Sequence, residues 1–484
     1  MDPRLIEETL LSLQLGMLRE KEGGNKLLRW PRKEESYLLG EKRVCRIGTN
    51  GGDDEDAHVE NEMMIDEEQP VLEAQTSKAV EELKSSVQGK GAMQKRVAAL
   101  RELRRLLSKS EFPPIDVALS AGAIPLLVQC LSFGSPDEQL LEAAWCLTNI
   151  AAGKPEETKS LLPALPLLIA HVGEKSSAPV AEQCAWAIGN VAGEGEELRN
   201  VLLSQGALPP LARMIFPDKG STVRTAAWAL SNLIKGPESK AAAQLVRVDG
   251  IVEAILRHLK KTDEEIATEI ATEIAWIVVY LSALSDIATS MLLKGGILQL
   301  LVERLATSHS LQLLIPVLQS VGNFVSVDPK AMLTILISGQ NTEENVIGVL
   351  AKCLRSEHRV LKKEAAWVLS NIAAGSIEHK RMIHSTEAMP LLLRLLSTSP
   401  FDIRKEVAYV LGNLSPDIEA ARLGLQFIEL VLRGMPNGEG PKLVEGEDGI
   451  DAMERFQFHE NEELRVMANS LVDKYFGEDY GIAE

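Results

Sequence analysis

The stretch Glu142-Ala143-Ala144-Trp145-Cys146-Leu147-Thr148-Asn149-Ile150-Ala151-Ala152-Gly153 decides how this chain folds. Glu142, Trp145 and Asn149 are spaced by three and then four residues, which places them on one face of a helix. The remaining positions are Ala, Leu, Ile and Cys, enough for a buried face, and Gly153 ends the helix. Upstream runs Ala118-Leu119-Ser120-Ala121-Gly122-Ala123-Ile124-Pro125. There the Gly closes one short helix and the Pro opens a second in its first turn, where a missing N–H costs little. Residues 118–153 therefore predict a unit of helices whose last member carries a Trp/Asn face. The same punctuation recurs at Gln205-Gly206-Ala207-Leu208-Pro209, Asp249-Gly250-Ile251, Gly295-Gly296-Ile297 and Ala388-Met389-Pro390.

The Trp/Asn phrase returns at Trp186/Asn190, Trp228/Asn232, Trp276/Tyr280 and Trp367/Asn371, in steps of 41, 42, 48 and 91 residues. The last step leaves room for a unit with Gln319/Asn323, and Tyr409/Asn413 adds a seventh. Three residues before the aromatic position stand Glu142, Gln183, Thr225, Glu273, Pro316, Glu364 and Glu406. Such self-similarity predicts three-helix repeats stacked into a solenoid. Ala267-Thr268-Glu269-Ile270 is copied at once as Ala271-Thr272-Glu273-Ile274. Four residues are close to one helical turn, so the copy lengthens that helix and keeps its face. After Asn413 the chain enters Ser415-Pro416-Asp417-Ile418-Glu419-Ala420-Ala421-Arg422, which reads as another third helix without the two that should precede it. A strained or disordered junction is expected there, with low hydrogen-exchange protection over 414–432.

Two readings of the ladder compete. In one, the tryptophans are core and the asparagines bond neighbouring helices. In the other, the ladder is a binding surface. An amide and a carboxylate placed repeatedly beside an indole favour the second, because a core stripe has no use for them. Amides donate and accept, so a file of them can hold an extended peptide backbone. Neighbouring indoles form slots for the stems of Lys or Arg, whose charges reach the ring faces or the glutamates. Packed helices lie about 8–10 Å apart and an extended chain advances about 3.3 Å per residue, so one repeat spans about three peptide residues.

Composition narrows the alternatives. The chain holds 51 Lys and Arg against 69 Asp and Glu, a formal charge of −18. Nucleic acid and anionic membranes are therefore poor partners, and basic ligands good ones. No uninterrupted apolar run suits membrane insertion and the start lacks a signal-peptide pattern, so an intracellular chain is expected. The five cysteines (Cys45, Cys130, Cys146, Cys184, Cys353) are scattered and read as small buried hydrophobes in a reducing compartment. No Gly-rich phosphate loop, HExxH motif, Ser/His/Asp grouping or metal-ligand spacing is present, so neither an enzyme nor a cofactor is expected. From Gly51 to Glu73 the chain has ten acids and no Lys or Arg. Residues 1–78 are thus expected to be a mobile acidic arm, with a short helix over Leu5–Leu18.

The repeats resemble those of importin alpha, the armadillo-repeat adaptor for nuclear-localisation signals. The resemblance spans about 79–484 and includes Leu106-Leu107-Ser108-Lys109, Pro113-Pro114-Ile115-Asp116, the whole ladder, His459-Glu460-Asn461-Glu462 and Lys474-Tyr475-Phe476. It implies an all-α, right-handed armadillo superhelical solenoid over 79–416, with a truncated final repeat and cap over 417–484. It also implies cargo peptides bound antiparallel to the solenoid and a protein shuttling between cytoplasm and nucleus. The family's major site would fall on Trp145, Asn149, Trp186, Asn190, Trp228 and Asn232, with Gln183, Trp276 and Tyr280 on the same face. Its lysine-selective pocket maps to Gly153, Thr158 and Glu194, the last a Glu where Asp is usual. Glu269 and Glu273 match the acids that meet further basic side chains. A minor site would use Asn323, Glu364, Trp367, Asn371, Glu406, Tyr409 and Asn413.

Departures from the family bear on its partners. Members open with a basic importin-beta-binding segment that also masks the groove. Here only Lys42-Arg43 and Arg46 stand for it, among acids, so weak importin-beta binding and weak self-inhibition are expected. Gln319 replaces an Arg and Tyr409 a Trp, which alters the minor site. The gap after Asn413 falls where the export receptor would engage. Two rival functions stay open: a cargo-binding decoy or retention factor uncoupled from importin beta, and an armadillo scaffold for other partners. A basic groove would favour the scaffold, but the seven rungs hold four Glu and no Lys or Arg.

Overall fold

The computed structural model describes residues 65–86, 91–108, 113–173, 176–218, 220–236, 240–261, 265–327 and 346–414. It also describes scattered positions between 422 and 433, and residues 439–446, 449–457 and 461–477. Among them every regular element is helical. They fall into two compact units that divide between Gly295 and Gly296.

The first unit opens with α1 (Ile65–Ser85) and α2 (Ala92–Leu107). Three triplets follow: α3 (Ile115–Ser120), α4 (Ala123–Cys130), α5 (Asp137–Ala151); α6 (Pro155–Lys159), α7 (Leu165–His171), α8 (Ala178–Glu194); and α9 (Glu196–Ser204), α10 (Leu208–Arg213), α11 (Gly220–Ile234). Then come α12 (Lys240–Leu245), α13 (Ile251–Lys260), α14 (Glu265–Leu284) and α15 (Asp286–Lys294). The expected three-helix grouping is present. Gly122 takes a left-handed conformation, φ 84°, and so turns the chain from α3 into α4, a conformation only glycine adopts freely. The third helices stack in order, α2 on α5, α5 on α8, α8 on α11 and α11 on α14. Their buried faces are rich in small residues, Ala143, Ala144, Ala185, Ala226 and Ala275 among them, all fully buried. The copied turn makes α14 20 residues long against 15 for α5 and α11. Its length and apolarity would suffice to cross a membrane, yet most of it is buried inside this unit.

Second helices are tied together by histidine. His171 Nε2 lies 2.6 Å from the Leu131 carbonyl, and His258 Nε2 lies 2.8 Å from the Ile215 carbonyl. Burial lowers the His258 pKa, which keeps the ring neutral. Cys130, Cys146, Cys184 and Cys353 are free and buried, as their scatter predicts. Burial pushes the Cys130 and Cys353 thiols up to about 11, and raises those of Cys146 and Cys184 as well.

The second unit contains α16 (Ile297–Thr307), α17 (Leu311–Val327), α18 (Val346–Arg355), α19 (Arg359–Ala373), α20 (Ile377–His384), α21 (Ala388–Thr398) and α22 (Phe401–Leu414). Here α17 packs on α19 and α19 on α22. The end of the chain adds α23 (Glu439–Gly446), α24 (Gly449–Phe456) and α25 (Glu462–Phe476). Val444, Met453, Phe456, Leu464, Leu471 and Tyr475 from them close over Leu425, Ile428 and Leu432 in one core. Helix α1 runs across the expected boundary between arm and repeats at 78/79, burying Thr76, Ala79, Val80 and Leu83. The arm before Ile65, the helix expected over Leu5–Leu18 and the junction at 415–421 lie outside the described residues.

Candidate peptide-binding groove

In the first unit, α5, α8, α11 and α14 carry the expected major-site residues side by side. Trp145, Trp186 and Trp276 are half-buried, whereas Trp228 is only 5% exposed. The four-residue spacing keeps each aromatic over its own amide, and stacking supplies what lies underneath. Asn190 Nδ2 donates to the Thr148 carbonyl and Asn232 Nδ2 to the Gly189 carbonyl, both at 3.1 Å. The accepting residue in each case precedes the asparagine of the previous rung. Asn149 instead donates to Ser108 Oγ on the α2 side, at 2.7 Å. The asparagines thus join neighbouring helices, the role the competing sequence reading assigned them. For Asn232 one amide N–H is committed in this way, out of two N–H groups and a carbonyl.

The indole of Trp228 lies directly over Gly189, where a Cβ would collide with its six-membered ring. Gly189 therefore supports both members of the next rung: its carbonyl takes Asn232 and its bare Cα faces Trp228. Gln183 donates from Nε2 to Thr148 Oγ1 at 2.8 Å, and the Thr148 hydroxyl also lies 3.2 Å from the Gln183 carbonyl. Glu273 is 7% exposed on α14. Glu269, expected to meet basic ligand side chains, is ion-paired with Arg224 of α11. A basic ligand would have to compete with that guanidinium. Burial raises the Tyr280 phenol pKa, so the hydroxyl is neutral at every physiological pH.

The residues mapped to the lysine pocket sit where α5 ends. Thr158 is 1% exposed and its hydroxyl lies 3.1 Å from both the Ala151 and Lys154 carbonyls, securing the entry to α6. Gly153 has no room for a Cβ against Ile115 and Glu157. The Glu157 carboxylate accepts from the Lys154 N–H at 2.5 Å, and burial raises its pKa. Helix α6 packs against α8, whose last residue is the half-buried Glu194.

The second unit repeats the arrangement for the expected minor site. Asn371 Nδ2 donates to the Gly322 carbonyl and Asn413 Nδ2 to the Ser370 carbonyl, both at 3.1 Å. The Trp367 ring lies against Gly322 as Trp228 lies against Gly189. Asn323, Glu364 and Glu406 are buried at 7%, 6% and 1% exposure, while Tyr409 is half-buried. Gly375 and His379 reproduce the Gly153/Glu157 corner, with His379 Nδ1 accepting the Ser376 N–H at 3.0 Å.

One helix of the stack went unread in the sequence. Arg101, Arg104 and Ser108 stand 41 residues before Glu142, Trp145 and Asn149, at the rung positions of α2. The Arg104 guanidinium lies 4.2 Å from the Trp145 ring centroid and its Nε lies 2.5 Å from the Glu142 carboxylate. The four-residue spacing of Arg104 and Ser108 was the available signal, but it carries no aromatic.

Residues 112–152, 195–235 and 342–374 match the Armadillo/beta-catenin-like repeat family. Over 490 aligned residues the chain is 82% identical to importin subunit alpha-9 of Arabidopsis thaliana, covering 94% of this chain and 93% of the relative. The chain belongs to the importin alpha family. It is also 57% identical to importin subunit alpha-2 of Oryza sativa subsp. japonica, covering 94% of the chain and 92% of that relative. An engineered protein of known crystal structure shares the fold at 23% identity, with a TM-score of 0.64 over 83% of this chain and 98% of its own. Importin alpha proteins are nuclear-transport adaptors.

Proposed function

We propose that this importin alpha binds basic nuclear-localisation-signal peptides along its Trp/Asn rungs and acts as an adaptor for protein import, moving between cytoplasm and nucleus. The observation that carries the reading is the rung itself. Four successive stacked helices carry an aromatic with an amide or hydroxyl four residues on, Trp145, Trp186 and Trp276 among them only half-buried, and Glu273 places a carboxylate on the same face. The asparagine anchors hold these groups in register, so ligand binding orders little that is not already ordered. Basic side chains enter between indoles, and the corner of Gly153, Thr158 and Glu194 selects one lysine. Asn323, Glu364, Trp367, Asn371, Glu406, Tyr409 and Asn413 form the minor site, weakened by Gln319 and Tyr409.

A second reading rests on the N-terminal segment, where Lys42-Arg43 and Arg46 stand among acids and no dense basic cluster is present. It makes the protein a decoy that binds cargo without importin beta. Titrating a fluorescent basic signal peptide, then adding importin beta and following co-elution, separates the two. A stable ternary complex supports the adaptor, and peptide binding without importin beta supports the decoy. No peptide binding sinks the groove assignment. Within the adaptor reading, Glu194→Lys should abolish the preference for lysine at one peptide position; an unaltered substitution profile would remove that pocket.

A further inference from the structure

Helix α2 ends the row of rungs with a cation instead of an aromatic. Arg104 occupies the rung position that Trp145 holds one repeat later, and its side chain is 13% exposed. Its guanidinium covers the Trp145 face that is turned toward α2, 4.2 Å from the ring centroid. It also takes the Glu142 carboxylate at 2.5 Å, and Arg101 approaches the same carboxylate at 3.5 Å. A slot for a basic ligand needs an open aromatic face and a carboxylate within reach. At this end of the row the chain's own arginine has both. Ser108 completes the rung by accepting from Asn149 at 2.7 Å, so α2 is held in register by the same kind of contact as the peptide-binding helices.

We propose that Arg104 is an end stop that fixes where the basic ligand row begins. The inference rests on the peptide-binding reading above. The first slot of the row is then the one between Trp145 and Trp186. A basic residue added beyond it meets a like charge and a ring face already covered, and it contributes nothing. Arg104 thereby limits how many basic side chains a cargo presents to this unit, and it does so without touching the bound peptide.

The test uses the full chain and three peptides: a parent basic signal peptide and versions with one extra arginine at either end, titrated by fluorescence anisotropy at fixed ionic strength. In the wild-type protein the extension directed at Trp145 should leave Kd unchanged. In Arg104→Met the same extension should tighten binding about threefold to tenfold, the range a single cation over an aromatic face provides. Should Arg104→Met lose its cooperative thermal transition, Arg104→Gln, which keeps a polar head near Glu142, carries the same expectation. An equal gain from both extensions in the wild type overturns the end stop, as does no gain in a folded variant. Failure of the wild type to bind the parent peptide overturns the peptide-binding reading itself, and the end stop with it.

Discussion

At the scale of the residue, mutation can separate the proposed binding role of a ladder side chain from its structural role. Trp186 is half-buried, whereas Asn190 is fully buried and bonded to the Thr148 carbonyl. Trp186→Ala should weaken peptide binding by about 2 kcal/mol, as an aromatic hot spot does, with a small change in Tm. Asn190→Ala should weaken binding and also cost about 1–2 kcal/mol of stability through the lost inter-helix hydrogen bond. Paired titrations and thermal melts check this; equal Tm losses in both variants would refute the division. Gly189→Ala is a sharper probe. The exchange gains about 1 kcal/mol of helix propensity, but its Cβ overlaps the Trp228 ring, an overpacking cost of about 1–3 kcal/mol. Tm should move little while Trp228 is displaced, so peptide affinity should fall about tenfold. Unchanged affinity would mean that Trp228 does not depend on its seat. The rungs were legible in the sequence because three- and four-residue spacings fix a common face within one helix. The glycine seats were not, because a Gly inside a helix does not say which ring will lie over it.

At the scale of the element, the second helices make a prediction about pH. His258 is 2% exposed, and its folded pKa is lowered by desolvation. A base with a depressed folded pKa takes up protons more readily when unfolded. Its contribution is therefore complete above the unfolded value of about 6.5 and is lost as pH falls from there through the folded pKa. Tm should accordingly decline between pH 7 and pH 5, and His258→Gln, which retains an N–H donor, should flatten part of that decline. An identical slope in the variant would show that another group is responsible. The element scale also explains the copied turn. Because four residues nearly complete a turn, α14 grew while Glu273, Trp276 and Tyr280 kept the rung spacing. The added turn contains Glu269, and only the stacking of α11 on α14 revealed that Arg224 meets it.

At the scale of the whole molecule, the charge of −18 favours basic ligands, and part of that attraction acts through solvent. Raising ionic strength from about 0.05 to 0.5 M should weaken peptide binding progressively, since the Debye length shrinks below the distance between neighbouring slots. Salt-independent affinity would assign binding to the indoles alone. The repeats also predict how damage spreads. Leu147 is fully buried on α5, so Leu147→Ala should cost about 2–5 kcal/mol. Each helix layer contacts mainly its neighbours, so the loss of hydrogen-exchange protection should centre on α2, α5 and α8. A uniform loss across all repeats would point to global cooperativity instead. By itself, the sequence determined the helical class, the repeat period and the members of each rung. All of these follow from spacing along one helix and from composition. Tertiary structure alone decided what lies between rungs: the carbonyl each asparagine engages, the glycines beneath Trp228 and Trp367, the pairing of Glu269, and the place of Arg104 over Trp145. Those contacts join residues some forty or more positions apart, and their register depends on how one helix seats on the next, which no periodicity within a helix encodes.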